Sequence, residues 1–177
     1  MLSREKILKY LQQLGEALEI KGLSGEIILA GGASMCLVHS ARDSTKDIDA
    51  LYEPKDVINR IADKIAEQED LPAGWLNDSV KSFIEPNASI EEFIAVKGLR
   101  IQTVSAEYLL AMKLMAARYG EKDHDDICFL FDKLGINEVD QALGIIETYF
   151  TKDRILPKTG YIIEEIIAER KKQAARK

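Results

Sequence analysis

Two aspartates, Asp47 and Asp49, stand at alternate positions at the head of an apolar run that ends at Tyr52. A double glycine, Gly31-Gly32, closes the apolar run before it. Alternate residues of a strand point to the same face, so the two carboxylates are expected to project together. Paired carboxylates suit Mg²⁺, which takes hard oxygen ligands and is held by one or two carboxylates together with substrate phosphates. A glycine turn that opens a helix brings backbone N–H groups to a phosphate with no side chain in the way. Ser34, at the start of that helix, would add a hydroxyl to the same phosphate. The combination points to metal-assisted phosphoryl or nucleotidyl transfer, with Asp47 and Asp49 holding Mg²⁺ or Mn²⁺. The plainer alternative makes Asp47 a strand-start residue and Asp49 a solvent-facing edge residue. Ile48, Ala50 and Leu51 argue for a well-buried strand, and the glycine turn lies one strand–helix unit earlier, where a phosphate site belongs.

The elements that must position these residues follow from periodicity. Ile7, Leu8, Leu11, Leu14 and Leu18 make a helical stripe over residues 3–20, with Ser3 as its N-cap. Residues 26–30 read as a buried strand, the glycines as a turn, and residues 33–40 as a short helix. The second strand covers residues 47–52. Pro54 opens a helix over 55–70, with Val57, Ile58, Ile61, Ile65 and Ala66 inward. Residues 80–84 fit a strand. Residues 92–96 and 99–104 form a hairpin across Lys97-Gly98. Beyond Ser105 the chain is helical, in segments of about 105–119, 123–134, 138–150 and 160–175, the third capped by Asn137. The expected class is α/β (α+β): a small mixed-sheet core with flanking helices in residues 1–104, and a helical part in 105–177 packed on it.

A chain of 177 residues with 46% hydrophobic and 31% charged residues can bury a core without disulfides or structural metals. Its net charge of −6 restricts nucleic-acid binding to a local basic patch. The one basic run, Arg170 to Lys177, reads as a solvated helix end suited to the helix dipole. Cys36 and Cys128 have neither metal nor disulfide spacing and read as buried thiols in a reducing compartment. No signal pattern opens the chain, and no apolar run is long enough to span a bilayer. A cytoplasmic protein with no membrane partner is expected.

Apolar run, Gly31-Gly32, helix, and then Ser44-Thr45-Lys46-Asp47-Ile48-Asp49 in a strand resembles the DNA polymerase β-type nucleotidyltransferase superfamily. With Arg42 included, the stretch is similar to small bacterial members, some of which resemble abortive-infection type toxins. A second match lies downstream, at residues 109–118 and in Lys122-Asp123-His124-Asp125-Asp126-Ile127. Residues 71–83 with Trp75 fit the same group more loosely. The resemblance covers about residues 27–131. It implies a nucleotidyltransferase that uses an NTP and Mg²⁺, with RNA, protein or a small molecule as acceptor, and a cognate antitoxin in the toxin version. It also implies that Lys113 reaches nucleotide phosphates.

Other residues fit around that frame. Arg118 and Lys122 extend the positive wall or pair with Glu121 and Asp125 on the surface. Asp123 and Asp126 share a helix face and would position Lys113 or Arg118, while Asp123 also suits a helix cap. Arg42 contacts a phosphate or braces the aspartate loop, and Thr45 orients Asp47. His39, His124, Trp75, Tyr119 and Phe83 are assigned no chemistry; the aromatics are read as packing groups. Active members of the superfamily usually carry a third carboxylate on a neighbouring strand, for which Glu85, Asp78 and Glu92 are the candidates. Its uncertain position keeps a second function open: a catalytically inactive nucleotidyltransferase fold that binds a nucleotide or a partner chain. An antitoxin or regulator acting through the basic C-terminal helix is a third. An exposed face of Ile162, Ile163, Ile166 and Ile167 on the last helix would make the protein a homodimer.

Overall fold

The computed structural model describes residues 1–117 and 123–174. The chain divides into two compact units, one of Met1–Ile84 and Ser89–Val104, the other of Glu85–Ala88 and Ser105–Lys177.

The first unit runs β1 (Leu2–Ser3), α1 (Arg4–Ile20), β2 (Gly25–Leu29), α2 (Gly31–Leu37), β3 (Ser44–Thr45), β4 (Ile48–Glu53), α3 (Lys55–Glu69), β5 (Leu76–Asn77), β6 (Ile90–Val96) and β7 (Leu99–Val104). Five strands form a mixed sheet in the order β5-β4-β2-β7-β6. In it β2 is antiparallel to β4 and parallel to β7, β5 is parallel to β4, and β6 is antiparallel to β7. The small pair β1-β3 is separate. Alternation decides the two faces. Ile27, Leu29, Ile48, Ala50, Leu99 and Ile101 point into a core shared with Leu11, Leu14 and Leu18 of α1 and Ile58, Ile61 and Ile65 of α3. Ile28, Asp49, Leu51 and Gln102 point the other way and are half-buried.

Local chemistry sets the element ends. The Ser3 hydroxyl accepts from the Lys6 N–H and caps α1. Arg4 donates to the carbonyl of Leu37 and to the Ser40 hydroxyl, which closes the C-terminal end of α2. Trp75 is buried edge-on against Tyr10, and its indole donates to the Ala62 carbonyl, a packing role as expected. The β6–β7 hairpin turns at Lys97-Gly98 with Gly98 at φ +70°, and there α1 lies against it backbone to backbone. A Cβ on Gly15 would sit 2.2 Å from the Lys97 carbonyl, and one on Gly98 2.2 Å from the Gly15 carbonyl.

The second unit holds α4 (Ala106–Ala116), α5 (Asp123–Leu134), α6 (Val139–Tyr149) and α7 (Pro157–Ala174). Ser105 caps α4 by accepting from the Tyr108 N–H at 3.2 Å. Tyr108 is fully buried, packed against Tyr149 and Phe150, and its hydroxyl accepts from the Glu85 N–H. Arg154 pairs with the Glu85 carboxylate and Asn87 donates to the Thr148 carbonyl, so residues 85–88 belong with these helices.

Four expectations are corrected. Residues 80–84 are not a strand: Ser79–Phe83 is a 3₁₀ turn, opened by Asn77, whose amide oxygen accepts from the Ser79 N–H. Phe83, read as a packing group, is 56% exposed. Glu138 rather than Asn137 occupies the N-cap of α6, because the Gln141 side chain reaches back to accept from both backbone N–H groups. The isoleucine face of α7 is also spent within the chain: Ile163, Ile166 and Ile167 are buried, which removes the argument for a homodimer. No described helix is long and apolar enough to cross a membrane.

Gly98→Ala is expected to destabilise the fold by more than about 2 kcal/mol, combining a left-handed backbone with a backbone clash. Gly135→Ala, at φ +68° with nothing within 4 Å, should lose only about 1 kcal/mol. Denaturant unfolding of the two variants checks the difference.

Candidate functional site

Asp49 sits in β4 between two fixed neighbours. On one side the Ala30 N–H donates to its carbonyl at 3.0 Å. On the other, β5 runs parallel, with Asn77 in register. Ile48 and Ala50 are fully buried, so the carboxylate between them turns to the opposite, half-open face. Asp47 precedes the strand in a bend and is half-buried. The second strand therefore starts one residue later than its alternation suggested.

The glycine turn lies directly against this carboxylate. Gly31 has φ +52°, and a Cβ there would stand 2.9 Å from Asp49 Oδ2. A Cβ on Gly32 would stand 2.2 Å from Thr45 Oγ1 and 3.6 Å from the guanidinium carbon of Arg42. Both positions are glycine because the space for a side chain is already filled, by Asp49 at one and Thr45 at the other. Gly31 thus meets Asp49, while Gly32 next to it meets Thr45 and Arg42, so the four predicted site residues Gly31, Gly32, Arg42 and Thr45 gather at one turn beside Asp49. Thr45 is buried and anchored by the pairing of β3 with β1. Its hydroxyl lies against Gly32, whereas sequence reasoning directed it at Asp47. Arg42 brings a positive charge over the turn.

Ser34 is corrected. It is fully buried, and its hydroxyl lies 2.8 Å from that of Thr103 on β7. The cause is the register of α2, which starts at Gly31 and not at Ala33. Ser34 is then the fourth helical residue, turned inward, and the N–H groups left open at the helix start belong to the glycines. Thr103 also donates to the Leu29 carbonyl at 3.3 Å, tying the end of β2, α2 and β7 together. Sequence reasoning missed Thr103. The available signal was a hydroxyl on the inward face of β7, in line with Leu99 and Ile101.

In the second unit Lys113 is 7% exposed and held by two carboxylates, Asp123 Oδ1 at 2.7 Å and Asp126 Oδ2 at 2.6 Å. Asp126 is buried and Asp123 about one-third exposed. Sequence reasoning brought these three together and gave the ammonium to nucleotide phosphates; in the structure it pairs with two protein carboxylates. Arg118 and Lys122, with Tyr119 and Glu121, lie outside the described residues. Two residues of the basic C-terminal run are engaged within the unit: Arg170 pairs with Asp132 and donates to the Cys128 carbonyl, and Lys171 pairs with Glu138.

Each candidate for a third carboxylate is tied to a cation. Lys55 pairs with Asp78 and holds its carboxyl below the ordinary range. Arg100 does the same to Glu92 from the neighbouring strand, and Arg154 pairs with Glu85 in the second unit. Among the described residues no group of three or more acidic, histidine or cysteine side chains is placed to hold a metal. Next to Asp49 on β5 stands the amide Asn77. Cys36 is buried, with its thiol pushed up by burial, while Cys128 is only half-buried.

Removing Asp126 would leave Lys113 buried with a single, partly solvated partner. Asp126→Ala is expected to lose about 3 kcal/mol of stability, as for other broken buried pairs. Asp123→Ala should lose about 1 kcal/mol or less, since that carboxylate is partly screened by water. Denaturant midpoints of the two variants test the ranking.

Neither the curated proteins nor the solved structures include a match to this chain. A family model does match, over residues 5–150, and its description is a nucleotidyltransferase of unknown function, DUF6036. That span takes in the whole glycine–aspartate site and the Lys113 triad as well as most of both units. With more than half of its length matched, the chain belongs to this nucleotidyltransferase family.

Proposed function

We propose that the protein is a metal-dependent nucleotidyltransferase that moves a nucleoside monophosphate from an NTP to an acceptor hydroxyl. One observation carries this reading: Gly31 and Gly32 bring the open start of α2 against the Asp49 carboxylate, with the Arg42 guanidinium beside them. Asp47 and Asp49 are the residues that would hold Mg²⁺ or Mn²⁺. Two half-exposed carboxylates fit a cation that fills its remaining positions with water and substrate phosphates. Such an ion, when bound, neutralises charge on the phosphates and lowers the pKa of the attacking hydroxyl. The chain's own part is to orient the substrate. The glycine N–H groups and Arg42 face the phosphates, while the sheet fixes Asp49 from both sides. The acceptor hydroxyl gives up its proton to water and its oxygen forms a bond to the α-phosphorus; the bond from that phosphorus to the oxygen bridging to the β-phosphate breaks, and pyrophosphate leaves with those electrons.

The acceptor class comes from the resemblance to small bacterial, toxin-like members: an RNA or protein hydroxyl, with tRNA the first to test. A cognate antitoxin and a cytoplasmic location belong to the same version. Lys113, held by Asp123 and Asp126, keeps in this reading the catalytic role that the resemblance gives it, that of reaching the nucleotide phosphates. One observation favours a second reading, a nucleotide- or partner-binding module without chemistry: Asn77 occupies the register position beside Asp49, where a carboxylate would complete a metal site.

Transfer of label from each α-labelled NTP to total tRNA, with Mg²⁺ or Mn²⁺, separates the two. Metal-dependent labelling that falls to background in Asp47→Asn/Asp49→Asn is the expected result. Gly31→Ala, which displaces the Asp49 carboxylate, should lower transfer about 100-fold in a protein that still folds. Metal-independent NTP binding by calorimetry without labelling of any acceptor would favour the binding module.

A further inference from the structure

A groove of about 630 Å³ runs between α1 and α3 of the first unit, on the helical side of the sheet. Its floor is apolar: Ala17 on α1 faces Val57, Ile61 and Ile65 on α3. At one end two large aliphatic side chains are left in water, Ile20 at 87% and Leu23 at 41% exposure. The rim is positive. Lys21, Arg60 and Lys64 line it against a single carboxylate, Glu16, in a chain whose net charge is −6. Asp63 and Glu67, also exposed on α3, are not among the lining residues.

Shape and charge together select the occupant. The lining positions of α3, from Val57 to Gln68, extend about 16 Å along the helix axis, close to three turns. A furrow between two helices accepts the ridge of a third, and docking by an amphipathic helix uses apolar anchors at i, i+4 and i+7. Covering Ile20 and Leu23 would remove the most exposed apolar surface around the groove. Arg60 and Lys64 lie one turn apart, so acidic residues one turn apart on the incoming helix would meet both. Lys21 adds a third cation at the end where the aliphatic side chains stand.

We infer that the α1–α3 groove is the docking site for an acidic amphipathic helix of a partner protein. The helix lays its apolar stripe on Ala17, Ile61 and Ile65, covers Ile20 and Leu23, and sets its carboxylates against Lys21, Arg60 and Lys64. This inference does not rest on nucleotidyl transfer, because none of these residues belongs to the glycine–aspartate site.

The probe is a fluorescent helical peptide of about 15 residues, with leucine at i, i+4, i+7 and i+11 and glutamate on its flanks. Its control carries lysine at the same flanks. Fluorescence anisotropy should show saturable binding of the acidic peptide and at least about tenfold weaker binding of the basic one. Arg60→Glu/Lys64→Glu should reverse that preference, and Ile20→Ser should weaken both. All three positions are exposed, so the variants should fold and keep any labelling of acceptor by NTP. Equal binding of the two peptides, an unchanged preference in the double variant, or no binding of the acidic peptide at about 1 mM would overturn the proposal. Displacement of the peptide by short RNA with no loss in Ile20→Ser would also overturn it, by showing a site for polyanions alone.

Discussion

The first unit is organised around one steric constraint: the backbone at Gly31 and Gly32 must touch the side chains of Asp49 and Thr45. That contact is incompatible with a Cβ at either glycine, and one of the two also needs a left-handed backbone. Everything nearby serves to hold it. β2 delivers the turn and pairs with the strand carrying Asp49, so both partners of the contact hang from one ladder. The β1–β3 pair pins Thr45, Arg4 closes α2 from behind, and the Ser34–Thr103 hydroxyl pair anchors the same helix to β7. Small residues at the turn thus follow from the positions of a carboxylate and a hydroxyl, and not from any need for flexibility.

The charged groups of the chain fall into two physical classes. Lys113 and Asp126 are almost wholly removed from water, and their attraction must offset a desolvation cost of several kcal/mol per ion. Asp123 supplies a second negative partner and leaves the triad with a net negative charge. By contrast, Glu92 with Arg100 and Asp78 with Lys55 are solvated pairs that order side chains and add little stability. The first class specifies the arrangement of α4 with α5. The second explains why carboxylates that looked eligible for metal binding are engaged elsewhere.

Long periodic helices and the β6–β7 hairpin were legible in the chain because their signals are strong and local: the leucine stripe of α1, the isoleucines of α3, Ser105 ahead of α4, and glycine in the turn. The association of Gly31-Gly32 with Asp49 was legible as motif order, although no spacing rule reveals that Thr45 fills the place of a side chain at Gly32. Ser34 was misjudged by a two-residue error in the start of α2, enough to carry a hydroxyl from the helix mouth to the interior. Strands β1, β3 and β5 are two residues long and carry no periodicity to detect. Asn77 beside Asp49, and Thr103 beneath Ser34, depend on partners far away in the sequence. Side-chain pattern cannot disclose such pairings until the strand order is known.

The parallel pairing of β2 with β7 has a consequence for the nascent chain. Leu29 and Thr103, which meet across that ladder, are 74 residues apart, while β2 and β4 are joined by residues 30–47, which hold only α2 and β3. During synthesis the glycine turn and its aspartate can assemble early, but β2 keeps a bare edge of unpaired N–H and C=O groups until β7 leaves the ribosome. Open strand edges template association with other chains, and incompletely paired sheets are the aggregation-prone species of slow folders. The interval between emergence of β4 and of β7 is therefore when a chaperone or a slowed ribosome would matter most to the yield of this protein.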